Sequence, residues 1–145
     1  MLLTFAAVLI ALMFLIFPLR KNAFFVLYFA LMILCAYGLE YKGIKFPAFS
    51  KQSFLMFVPC HFVLINLVTI MAYGADKNAA RKGAWRVPEI QLHTLELLGG
   101  WIGALVAQRL FHHKNKKKSY QMMFWFVLAL QIAIVYYVLN LLKLI

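Results

Sequence analysis

Long apolar stretches alternate with short polar ones along this chain. The run 1–17 carries no charge and stops at Pro18, with Arg20 and Lys21 just beyond. The runs 23–39, 53–75 and 121–142 follow, broken only by isolated polar residues such as His61, Asn66, Gln131 and Asn140. A helix rises about 1.5 Å per residue, and a bilayer core needs roughly 20 residues to be crossed. Each run therefore predicts a transmembrane helix, the first completed by Leu19. A secretory signal peptide would carry its basic residues before the apolar run. Here they come after it, so an uncleaved span is expected.

The stretch 90–111 is different. It is long enough to cross, yet it holds His93, Glu96, Gln108 and Arg109, with glycines at 99, 100 and 103. Cytoplasmic loops are enriched in Lys and Arg. If 90–111 crosses, seven Lys and Arg fall inside and eight outside; if it enters and returns on one side, eleven fall inside and four outside. The second distribution fits the rule. The expected fold is all-α: a polytopic membrane bundle of four transmembrane helices plus a re-entrant or interfacial helix, both termini outside. Five transmembrane helices is the alternative. One integral membrane domain, 1–145, is expected, with two extra N-terminal spans in 1–52 and a core in 53–145.

Composition agrees with this reading. Apolar residues make up 66% of the 145 and charged residues 13%, against about 25% charged in soluble domains. The net charge of +11 calls for no nucleic acid, because juxtamembrane cations meet anionic headgroups. The run His112-His113-Lys114-Asn115-Lys116-Lys117-Lys118 also lacks the interleaved aromatics of a stacking surface. Cys35 and Cys60 fall inside expected spans and lack zinc-ligand spacing. They read as small packing residues.

The candidate chemistry is concentrated in a polar cassette. Asn66, Thr69, Tyr73 and Asp76 recur at steps of three and four, which places them on one helical face. Pro88 suits a first helical turn, where Glu89 also meets the favourable end of the helix dipole. Glu89, His93 and Glu96 then follow at i, i+4 and i+7. Two carboxylates bracketing an imidazole suit general-base chemistry or a divalent metal, so these three are the candidate catalytic residues. The spacing identifies no particular metal or cofactor. Asp76, Lys77, Arg81, Arg86, His113, Lys114 and Lys117 form the candidate binding rim, with Arg86 suited to fork onto a phosphate. Gly99, Gly100, Gly103 and Ala104 make a small-residue surface that would admit a second copy or another membrane helix.

Tyr73-Gly74-x-Asp76-Lys77, Ala80-Arg81, Trp85-Arg86-Val87-Pro88-Glu89, Leu92-His93, Gly99-Gly100, Gly103-Ala104 and Phe111-x-His113-Lys114-x-x-Lys117 resemble the domain of unknown function 1294 family, small bacterial membrane proteins. The resemblance covers roughly residues 60–140. Some relatives carry a fused cold-shock domain, which this chain lacks, so nucleic-acid binding does not carry over. The family pattern has Arg at His112, Thr at Asn115 and Phe at Tyr120. The resemblance implies a multi-pass protein of the bacterial inner membrane and supplies no activity. Two functions are expected to compete. One is a basic, cytoplasmic-side interfacial pocket for anionic lipid headgroups or a partner. The other is an interfacial, metal-assisted hydrolase or transferase acting on a lipid-linked phosphate. A transport path along the Asn66–Asp76 stripe would need a second polar face, for which only Gln131 and Asn140 are available.

Overall fold

The computed structural model describes residues 23–43, 51–112, 114 and 116–141, the side chains of 51–55, 138 and 139 excepted. The expected first span, 1–17, and His113 lie outside them. Every described element is a helix: α1 (Ala23–Tyr41), α2 (Lys51–Lys82), α3 (Glu89–Leu95), α4 (Trp101–Phe111) and α5 (Lys118–Leu141). α1, α2 and α5 contain the apolar runs 23–39, 53–75 and most of 121–142. The chain divides into two compact units, Met1–Val68 and Thr69–Ile145. Their boundary falls inside α2.

By length and composition, four helices can cross a membrane: Ala23–Tyr41, Met56–Lys82, Glu89–Phe111 and Lys118–Tyr137. The unit Thr69–Ile145 has the inverted polarity of a lipid-embedded body. Its buried residues include Asp76, His93, Glu96 and Gln108, while Met71, Ile102, Leu110, Met122, Trp125 and Phe126 are exposed. Burying acids and exposing large apolar side chains together reverses the arrangement of a water-soluble core.

Glu89–Phe111 is not one straight helix. Between α3 and α4 lies a break, Glu96–Gly100, in which Gly99 adopts φ 113° and ψ 1°. That backbone region is strongly disfavoured for a residue with a β-carbon. Gly100 is needed for another reason: a β-carbon there would lie 2.1 Å from Thr69 Oγ1 and 2.8 Å from the Leu95 carbonyl oxygen. Two glycines thus let the chain turn and let α2 approach the turn. The ends of the segment then come together. Asp76 lies within 3.1 Å of Arg86, just before α3, and 3.6 Å from Lys114, just after α4. Lys114 also reaches Glu89 at 2.6 Å. A straight helix of this length would hold those ends about 34 Å apart. The segment doubles back, so that both of its ends lie beside Asp76.

The consequence is directly measurable. In a chain carrying Cys35→Ser and Cys60→Ser, single cysteines at Lys82 and Lys117 are expected to react with an impermeant thiol reagent from the same side of the membrane. Labelling from opposite sides would mean that 90–111 crosses.

Candidate functional site

Two polar layers hold the doubled-back segment to α2 and α5. The outer layer is an ionic clip. α2 ends at Lys82, and Gly83, with φ 63°, turns the chain so that Arg86 faces back onto α2. Arg86 donates through Nε and one terminal nitrogen to the two oxygens of Asp76, both at 3.1 Å, a fork-on-fork pair. The hydrogen bonds to Asp76, and secondarily its charge, raise the Arg86 pKa above its ordinary value. Lys114 donates to Glu89 at 2.6 Å, and Lys117 donates to the same carboxylate oxygen at 2.8 Å. Lys77 donates to the Phe111 carbonyl at 2.6 Å. Carbonyls at a helix C-terminus lack intrahelical partners and carry the negative end of the dipole, so a lysine suits that place. His112 ends α4 in the left-handed conformation, φ 46°, its N–H donating to the Gln108 carbonyl.

The inner layer is a hydrogen-bonded cluster around Glu96, whose side chain is fully buried. Its Oε1 accepts from the Tyr73 hydroxyl and, at 2.8 Å, from the Tyr120 hydroxyl. The two hydroxyls lie 2.6 Å apart. Oε2 faces His93 Nδ1 at 2.7 Å. Gln108 donates to the Tyr73 oxygen at 3.2 Å, and Gln121 donates to Gln108 at 2.6 Å and to the Lys114 carbonyl at 3.1 Å. The His93 ring stacks on Tyr120 with centroids 4.3 Å apart, and Lys114 Nζ lies 4.8 Å from the same tyrosine ring. Tyr120 therefore touches both layers.

This arrangement can do acid–base work. In the tautomer whose Nδ1–H donates to Glu96 Oε2, Nε2 keeps its lone pair. The stacked Tyr120 ring fixes the plane of the imidazole. No described hydrogen bond takes Nε2, and His93 retains 7% of its surface exposed.

The structure divides the three candidate catalytic residues. His93 and Glu96 are paired, whereas Glu89 is engaged at the rim by Lys114 and Lys117. Among the described residues, no group of three His, Cys, Asp or Glu is placed to hold a metal ion. Of the candidate rim, Asp76, Lys77, Arg86, Lys114 and Lys117 meet in the clip, and Arg81 stands exposed nearby on α2. Gly99, Gly100, Gly103 and Ala104 are buried within this unit, Gly100 against Thr69. The predicted stripe on α2 also resolves. Thr69, Tyr73 and Asp76 are fully buried and serve the turn, the inner cluster and the clip respectively, while Asn66 bonds its own helix at the Phe62 carbonyl, 2.7 Å away.

Tyr73, placed beforehand only on the α2 stripe, and Tyr120, Gln108 and Gln121 are the members that sequence reasoning missed as site residues. Hydropathy treats tyrosine as apolar, which conceals its hydroxyl; Gln108, a polar residue in a membrane-length run, was the available signal.

Residues 66–120 match the family model described as Protein of unknown function (DUF1294). The matched stretch holds every member of the clip and of the inner cluster except Gln121. No curated protein and no solved structure matches the chain. The family match and the site thus coincide on the doubled-back segment and the helix ends that clasp it.

Proposed function

We propose that this is a multi-pass inner-membrane protein whose re-entrant segment presents a basic, cytoplasmic-side face to the phosphates of anionic lipid headgroups. The observation that carries this reading is the convergence of both basic segments at one end of the unit. Two carboxylates, Asp76 and Glu89, face the clip, where Arg86, Lys114 and Lys117 answer them. Around that clip Arg81, Lys82, Arg109, Lys116 and Lys118 remain exposed. Each such cation contributes about 1 kcal/mol beside an anionic surface. The clipped cations hold the fold and the exposed ones meet the lipid.

The test uses protein purified in neutral detergent and titrated with phosphatidylglycerol or phosphatidylcholine. Phosphatidylglycerol is expected to raise the melting temperature more than phosphatidylcholine, by an increment that shrinks with salt. It should also disappear when Arg81, Lys82, Arg109, Lys116 and Lys118 are replaced by glutamine. Equal stabilisation by both lipids would remove the reading.

The His93–Glu96 pair favours a second reading, an interfacial hydrolase or transferase acting on a lipid-linked phosphate. In it His93 Nε2 accepts a proton from the attacking hydroxyl or water, Glu96 orients the ring, and Lys114 offsets developing negative charge. Exchanging Glu96 for glutamine separates this role from a purely structural one.

A further inference from the structure

Outside the site, the unit Met1–Val68 holds a second reactive arrangement. Cys35 on α1 and Cys60 on α2 are free thiols with sulfurs 3.4 Å apart, both partly exposed. A neighbouring contact secures the same two helices: the Tyr28 hydroxyl lies 2.5 Å from His61 Nδ1, and the two rings meet edge-on at 5.7 Å between centroids. Phe57 stacks on the other partner, His61, at 5.9 Å. The thiols are therefore juxtaposed by helix packing that includes an aromatic contact one residue from Cys60.

We propose that Cys35 and Cys60 form a reversible dithiol–disulfide pair linking α1 to α2, oxidised from within the membrane by a lipid-soluble quinone. A disulfide holds its sulfurs about 2.0 Å apart, so the pair must close by about 1.4 Å, a movement within reach of side-chain rotation. The reaction balances without another reactant. Two S–H bonds break and one S–S bond forms, and the two electrons and two protons reduce one quinone to its quinol. The oxidant class follows from location. Both cysteines lie in helices of membrane-spanning length and apolarity, where water-soluble oxidants are dilute and an apolar two-electron acceptor is concentrated.

The full chain, reduced and freed of reductant in detergent, would be mixed with a short-chain ubiquinone. One quinone should be consumed per protein, with both thiols lost and the intact mass reduced by two hydrogen atoms. Peptide mapping should join Cys35 to Cys60 in the same molecule, and dithiothreitol should restore both thiols. Cys35→Ser and Cys60→Ser, each retaining the wild-type melting temperature, should consume no quinone. Thiols that stay titratable under quinone, or a bond found only between molecules, would overturn the proposal.

Discussion

Glu96→Ala is expected to destabilise the protein by about 3–5 kcal/mol, the range for removing one partner from a buried charged network. The side chain is fully buried, and its loss deprives the Tyr73 and Tyr120 hydroxyls and His93 Nδ1 of one shared acceptor. Each stranded polar group costs about 1–3 kcal/mol. The full sum is not expected, because the two hydroxyls already lie 2.6 Å apart and can bond each other. Reversible unfolding in mixed micelles would read the loss.

Glu96→Gln should behave differently, staying within about 1 kcal/mol of wild type because the amide preserves the shape and most hydrogen bonds. Its carbonyl can still accept from the tyrosines. Its NH₂ group would face Nδ1, which must then accept, and the imidazole proton moves to Nε2. Nitrogen chemical shifts of labelled histidine should report that exchange. If His93 is a base, turnover of a lipid-linked phosphate falls to background in a folded protein. Turnover that survives the exchange would eliminate the second reading and leave Glu96 a structural role.

Asp76→Ala is expected to cost about 2–3 kcal/mol, the range of a charge-assisted hydrogen bond lost from a buried carboxylate. The value lies below that for Glu96 because the partners have alternatives. The Arg86 side chain is half exposed and can turn to water, whereas the nearly buried Lys114 keeps Glu89. Arg86→Ala should therefore cost less than Asp76→Ala, since it leaves Asp76 with Lys114. The injury should also be local. Hydrogen exchange is expected to quicken at residues 84–87 and at the end of α4, with α1 unchanged. Uniform acceleration across the chain would show that Asp76 supports the whole fold rather than the clip.

The helices over 23–39, 53–75 and 121–141 and the α2 stripe were legible in the amino-acid order because each depends on something local. Apolar run length and a helical period of 3.6 need no knowledge of distant contacts. The broken helix was half legible. Its glycines were visible, but which one turns the chain and which admits Thr69 depended on α2 lying against it.

The residue pairings were not legible, because helical spacing puts both acids within reach of the same imidazole. Glu89 precedes His93 by four residues and Glu96 follows it by three. Tyr73 and Tyr120, distant in sequence, draw Glu96 inward, while Lys114 and Lys117 hold Glu89 at the rim. The two cysteines make the same point, since nothing in a separation of 25 residues announces sulfurs 3.4 Å apart. Sequence by itself determined the helices, their membrane character and the polar cassette, all set by local periodicity and composition. Tertiary structure alone decided which acid orients His93, which cations are taken up in the clip and which thiols meet, because each depends on helices brought together from distant parts of the chain.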